Sequence, residues 1–289
     1  MSATLALLAA LVAQQADTTI AVERGQRLEV QNHAGDIVVR SWNRNAVRVR
    51  AELDGRSELA IDRSPVVVSL HTTGRRGPGR ATYDISVPAW MPVNLHGVNA
   101  GMTVDGVQAA IRAETVNGDI DVKGGDGLVS LQTVEGSVTL EGAKGRLEVE
   151  SVNADVTVRG SAGELHAETV NGDIILAGLT SESVDASTVN GDILYDGTVR
   201  DGGRYRLVTH NGDVTVAVPE QADARVSVST FQGDFESEFP VTLKERRGRR
   251  FDFTLGSGSA ALDLESFQGT IRLVRPGSHA LRERRPADE

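Results

Sequence analysis

The sequence predicts an all-β protein, a single elongated parallel β-solenoid (β-helix-like) with coils of about 18–21 residues behind a β-rich N-terminal cap. Three observations predict it. One phrase, TVNGDI, stands intact at residues 115–120, 169–174 and 188–193. The stretches between copies alternate apolar and polar residues and break at glycines. Helix periodicity is almost absent beyond the first residues.

Edited copies of the phrase occur at 133–138 (TVEGSV), 151–156 (SVNADV), 209–214 (THNGDV), 230–235 (TFQGDF) and 266–271 (SFQGTI). Its fourth position falls at Gly101, Gly118, Gly136, Ala154, Gly172, Gly191, Gly212 and Gly233, in steps of 17, 18, 18, 18, 19, 21 and 21. Gly269 follows 36 residues later, which reads as two steps with one degraded copy between. Helical repeats need roughly 33–47 residues, and the leucine–asparagine framework of leucine-rich repeats is absent. Within one unit, Ile120 and Val122 alternate with Asp119 and Asp121. A glycine break at 124–127 follows, and then Val129, Leu131 and Thr133 share a face. Alternation bounded by glycine reads as strand–turn–strand, each strand pairing with its copy in the next coil.

Coils stacked about 4.8 Å apart turn repeated residues into ladders. Thr115, Thr133, Ser151, Thr169, Thr188, Thr209, Thr230 and Ser266 form a hydroxyl ladder. The pairs Asn117–Gly118, Asn171–Gly172, Asn190–Gly191 and Asn211–Gly212 form a structural corner ladder, because asparagine bonds its own turn and glycine accepts positive φ. The residues after the hydroxyls, among them Val116, Val170, Val189, His210 and Phe231, form an apolar stripe. If the hydroxyls face inward the stripe is an exposed contact surface, and if they face outward it belongs to the core.

An aspartate column completes the corner, with Asp119, Asp173, Asp192 and Asp213 among its members. Carboxylates this close repel by roughly 3.5 kcal/mol at an effective dielectric of 20, so a buried ionised column is excluded. They must be solvated, splayed, capped by backbone amides or neutralised by cations. Calcium takes such oxygens, which makes these four residues candidate ligands, although the known calcium-binding G-G-x-G-x-D spacing is different. Plain turn carboxylates need no cofactor, and none is otherwise implied.

The formal charge of −10, from 30 Lys and Arg against 40 Asp and Glu, argues against sequence-independent nucleic-acid binding. The chain has no cysteine, which excludes disulfides and thiolate metal or redox sites. Its six histidines are scattered without metal-motif spacing. Residues 5–13 (LALLAALVA) resemble the apolar core of a secretory signal and are too short to span a bilayer. The expected organisation is a signal peptide at 1–17, the cap region at 18–96, the solenoid at 97–275 and a charged, disordered tail at 276–289. The mature chain has no transmembrane span in this reading, and its location is extracytoplasmic. Residues 72–80 (TTGRRGPGR) read as a loop. All six phenylalanines follow residue 230, which suits a terminal plug.

The phrase NHAGDI at 32–37 with Trp42 beyond it, the run Ile85, Ser86, Val87 and Pro88, and the VNGDI coils resemble the bacterial "putative adhesin" family. The resemblance spans about residues 20–275. It implies a β-solenoid domain of exported or membrane-tethered proteins, and it carries no catalytic residues to this chain. The expected function is a non-enzymatic, adhesin-like binding or scaffold module whose partner is a cell-envelope polymer or protein. The alternatives are a carbohydrate-active enzyme on a β-helix and an accessory protein in envelope-stress sensing. An enzyme needs paired acids at set separations and a local break in the repeat. Tyr195, Arg204 and Tyr205, near Asp192 and Asp213, are the nearest approach to one. The basic runs 244–250 and 282–285 read as solvated segments.

Overall fold

A computed structural model describes residues 14–54, 57–74, 79–240, 245–247 and 250–278. Two sheets, one of 13 strands and one of 14, face each other along the whole length, and no helix occurs among the described residues. Each coil contributes one strand to each sheet. In the coil at the middle of the repeat, Asp126–Gln132 lies in the longer sheet, the TVEGS corner turns the chain, and Val138–Glu141 lies in the other. Parallel pairing to the next coil keeps strict register, as in Val129↔Leu147 and Leu131↔Val149. The same holds for Val138↔Val156 and Leu140↔Val158. The inward residues of both sheets form one continuous core of Val, Leu, Ile and Ala.

The stacking register corrects the start of the repeat count. Asn117 bridges Asn99, and Ile120 pairs with Met102. The residue opposite Gly118 is therefore Ala100, not Gly101, and the first step is 18 residues like the next three. Gly101 stands where the next coil carries Asp119, one place beyond the glycine position of the phrase.

Sequence order is not stacking order at either end. The coil formed by Arg27–Ala34 and Ile37–Trp42 lies between the coil of Val67–Gly74 and Ala81–Pro88 and that of Val93–Asn99 and Met102–Val107. At the far end, Ala260–Gln268 and Ile271–Val274 insert between Arg204–Asn211/Val214–Ala217 and Ala224–Gln232/Phe235–Ser237. No degraded copy lies between the Gly233 and Gly269 coils, which are direct neighbours. The intervening chain is instead spent on an antiparallel return strand, Arg250–Leu255. The phrase at 32–37 likewise belongs to a regular coil inside the region read as a cap.

Antiparallel strands close the N-terminal end of both sheets and the far end of the longer sheet. Ala46–Leu53 pairs with Ala81–Pro88, Gln14–Ala21 pairs with Ala46–Leu53, and Ser57–Arg63 pairs with Val67–Gly74. The parallel winding is thus confined to the middle of the molecule. The outermost coils, which would otherwise offer open pairing edges, are covered except at Phe235–Ser237, a three-residue edge strand of the 13-stranded sheet. Val67–Gly74 takes up the first three residues of the stretch read as a loop. Phe235 packs against Phe251 and Phe253 at the last coil, with ring centroids 6.0 and 5.7 Å apart. Of the expected leader, residues 1–13 lie outside the described residues, while Gln14–Ala21 is a strand tied down by the Arg48–Asp17 ion pair at 2.6 Å. Residues 279–289 of the tail also lie outside, as do 244 and 248–249 of the first basic run.

Candidate functional site

The corner ladders are the most regular chemical feature. Thr133 follows Val129 and Leu131 in the alternation, so it shares their inward face, and every hydroxyl of the ladder is buried. All but Thr230, whose Oγ1 has no partner among the described residues, reach back to a backbone carbonyl of the preceding coil. Thr115 Oγ1 donates to Ala100 O at 3.0 Å, Thr169 to Ala154 O at 2.9 Å, Thr209 to Gly191 O at 2.8 Å and Ser266 Oγ to Gly212 O at 2.9 Å. These bonds meet carbonyls that the bend of the strand turns away from the sheet ladder, and buried carbonyls need such partners.

At the glycine position the governing constraint is close approach. A Cβ on Gly172, Gly191, Gly212 or Gly269 would land on the carbonyl of the residue beneath it in the stack. None of the first three has φ in the left-handed region, so the expected positive φ is not the reason for glycine there. The asparagines pair amide to amide along the stack. Asn171 Nδ2 donates to Asn153 Oδ1 at 2.9 Å, Asn190 to Asn171 at 2.8 Å, Asn211 to Asn190 at 2.8 Å and Asn117 to Asn99 at 2.9 Å.

The aspartate column is capped by amides. Asp119 Oδ1 accepts from Ser137 N at 2.7 Å, Asp155 from Asp173 N at 2.8 Å and Asp173 from Asp192 N at 2.8 Å. Asp192 accepts from Asp213 N at 2.7 Å and Asp213 from Thr270 N at 2.8 Å. Asp213 also meets Arg272 at 2.7 Å, and this bond raises the Arg272 pKa. Each carboxylate commits one oxygen to the next coil. Among the described residues, no group of three His, Asp or Glu side chains is arranged to hold a metal ion.

The stripe faces solvent. Val116, Val134, Val152, Val170 and Val189 are 36–43% exposed, and the row continues through Val98 at one end. At the other end it becomes aromatic: His210 stacks on Phe267 at 4.6 Å, and Phe267 stacks on Phe231 at 4.7 Å. Phe267, not Val208 or any residue between 233 and 266, is the neighbour of both, which only the inserted last coil explains. Beside the stripe runs a groove of about 380 Å³. Val134, Val152 and Val170 form one wall, and Glu114, Glu150 and Glu168 stand on the other. Those glutamates were not singled out from the sequence. Their signal was present, because each stands immediately before a hydroxyl of the ladder, or one residue from it in stacking register.

The cluster nearest to a catalytic constellation dissolves. Tyr195 and Tyr205 are buried, packed edge to face with centroids 5.6 Å apart. Tyr195 Oη donates to Thr198 O, and Tyr205 Oη donates to Ser181 O while accepting from Arg200 N. Burial pushes both phenols above the usual tyrosine range. They act as core residues that anchor the longer turns of these two coils.

Residues 79–274 match the Toastrack DUF4097 family. The chain belongs to the Toastrack family. The match covers the coils from Val93 onward and the inserted last coil, and leaves out the stacked coil of Arg27–Ala34 and Ile37–Trp42. Solved structures similar to this Toastrack chain include a "putative adhesin" of Bacteroides fragilis, at 12% identity over 90% of this chain and 97% of that one, with a TM-score of 0.49. A "putative adhesin" of Parabacteroides distasonis is 10% identical over 91% and 98%, with a TM-score of 0.47. A "putative lipid binding protein" of the same species is 8% identical over 92% and 98%, with a TM-score of 0.38. No curated protein matches the Toastrack chain.

Proposed function

We propose that this Toastrack chain is a non-enzymatic, adhesin-like binding module that works outside the cytoplasm, holding a cell-envelope polymer or protein along its corner. The observation that carries the reading is the exposed apolar stripe. A soluble fold has no packing reason to repeat valine outward in coil after coil, since the same corner is held by the buried hydroxyls and the glycines. Contiguous exposed apolar rows mark interaction surfaces. The aromatic end, His210–Phe267–Phe231, provides a flat anchor, and the parallel groove provides an acidic flank. No helix among the described residues is long and apolar enough to cross a membrane.

The test compares the protein with a Val134→Ser, Val152→Ser, Val170→Ser variant in co-sedimentation with insoluble cell-wall polymer and, separately, with lipid vesicles. Surface substitutions of this kind leave stability nearly unchanged. The reading expects the wild type to pellet with one of the two and the variant to lose at least about tenfold in apparent affinity, a change of about 1.4 kcal/mol. Equal binding by both proteins, or none by either, would remove the stripe as the contact surface.

A further inference from the structure

The corner carries charge as well as valine. Its hexapeptides run ETVNGD at 114–119, QTVEGS at 132–137, ESVNAD at 150–155, ETVNGD at 168–173 and STVNGD at 187–192. Together they hold eight acids and no Lys or Arg. Stacking sorts these acids into rows on either side of the exposed valines. Glu114, Glu150 and Glu168 stand along one side, before the buried hydroxyls. Asp119, Asp155 and Asp173 stand along the other, past the asparagines, and all three are exposed.

Much of this charge is not neutralised within the fold. Glu114 is met by Arg112, and Glu168 by the His166 imidazole at 3.6 Å. Glu150 accepts from the Gln132 side-chain amide at 3.1 Å, and the three aspartates accept from backbone amides, so these partners are neutral. Rows of one sign hold a negative potential over the apolar stripe, which repels polymers and lipids that bear phosphate or carboxylate. They attract a partner that carries cations on both sides of an apolar face.

The spacing of the rows decides the shape of that partner. The backbone of the stripe is already paired. Val116 O accepts from Glu135 N at 2.8 Å, Val134 O from Asn153 N at 3.0 Å and Val152 O from Asn171 N at 2.8 Å. No strand can add there, so contact is through side chains. Successive valines are about 4.8 Å apart along the stack, whereas one face of an extended chain repeats about every 6.8 Å. One face of an α-helix repeats every turn, about 5.4 Å, and so lags by only about 0.6 Å per coil. From Val98 to Val189 the stripe spans about 24 Å, the length of a helix of about 16 residues.

We propose that the stripe docks a basic amphipathic α-helix of a partner protein, apolar face on the valines and Lys or Arg side chains on the two acidic rows. The stems of such side chains lie along apolar surface while their head groups reach the carboxylates. The groove between the valine and glutamate walls receives the larger apolar side chains of the helix. The inference rests on the reading of this corner as a binding surface and names the kind of protein it holds.

The test titrates a labelled leucine–lysine peptide of about 16 residues, its leucines three and four apart, with the full chain and follows anisotropy and helical circular dichroism. Wild type is expected to bind it saturably and to raise its helicity. Three control peptides should bind at least about tenfold more weakly: one with glutamate for lysine, one with leucine and lysine in strict alternation, and one of lysine alone. Glu135→Gln, Glu150→Gln, Asp155→Asn protein should lose at least about fivefold in affinity at low salt with an unchanged melting temperature, since the new asparagine still caps Asp173 N. The triple valine-to-serine variant should lose at least about tenfold. Equal affinity for the all-lysine peptide, or full binding by the valine variant, would reduce the contact to net charge and overturn the proposal. No binding of the leucine–lysine peptide by a wild type that pellets with wall polymer or vesicles through the stripe would also overturn it, and would leave the earlier reading standing.

Discussion

Thr169, Gly191 and Asp192 each do one job at the corner, and each job predicts its own cost. Thr169→Val keeps the shape and removes the bond to Ala154 O, so it should lower stability by about 1 kcal/mol. A urea midpoint that stays put would mean the Ala154 carbonyl finds another donor. Gly191→Ala drives a methyl onto the Gly172 carbonyl and should cost about 1–3 kcal/mol as the two coils are forced apart. Ala154 shows that the position accepts a Cβ only where the local stacking allows it, at negative φ. Asp192→Asn retains an acceptor for Asp213 N, so it should shift the midpoint by under about 1 kcal/mol. Because each carboxylate already caps an amide, added calcium should not raise the melting temperature of wild type. A calcium-dependent rise lost in Asp173→Asn, Asp192→Asn protein would instead make the column a metal site.

At the scale of the element, the inserted last coil changes what truncation does. In a simple solenoid the stability is roughly a sum of repeats and neighbour interfaces, so losing the terminal repeat costs one repeat. Here Ala260–Gln268 pairs on both sides, with Arg204–Asn211 and with Ala224–Gln232. Deleting residues 256–289 therefore removes the bridge between the body and the 224–237 coil, exposing two core faces at once. The expected result is a broadened, low-cooperativity urea transition with a smaller m-value and an exposed apolar surface that binds dye. A sharp transition displaced by one repeat's worth of stability would show that the coil is dispensable. Hydrogen exchange offers a second check. Residues 260–274 should be as protected as the central coils, although they lie near the end of the chain.

Across the whole molecule, three buried phenols set the alkaline limit. Burial pushes Tyr83 up to about 12, and Tyr195 and Tyr205 are raised for the same first reason. An acid with a raised folded pKa stays neutral in the fold while the unfolded chain ionises near 10, so ionisation favours unfolding. Its contribution is therefore complete below pH about 10 and drains away between about 10 and 12, amounting to roughly 3 kcal/mol for Tyr83 alone. Phenolate absorbance should appear together with loss of sheet circular dichroism above pH about 10. Phenolate forming at that pH in an intact fold would show the hydroxyls to be hydrated. The N-terminal end is closed by antiparallel strands in both sheets, and the far edge of the 13-stranded sheet is the three-residue strand Phe235–Ser237, so the chain is also expected to resist end-to-end assembly in spite of its long sheets.

The amino-acid sequence determined the period, the two strands per coil, the glycine breaks and the ladders, because stacking turns every local constraint into a repeated residue. The phrase left the sense of the corner open, and the structure turns the hydroxyls inward. Thr133 lies on the buried face with Val129 and Leu131, because its hydroxyl finds a carbonyl of the neighbouring coil there, and the valines turn outward. What the sequence could not determine was which coil lies on which. The phrases at Gly212, Gly233 and Gly269 are nearly interchangeable, so any order satisfies local pairing, and the choice is made by whichever order buries both ends of the core. That tertiary choice sets Phe267 between His210 and Phe231, and it sets Asn32 between Thr72 and Gly97. The aromatic anchor is therefore a product of stacking order, built from residues that lie far apart in the chain.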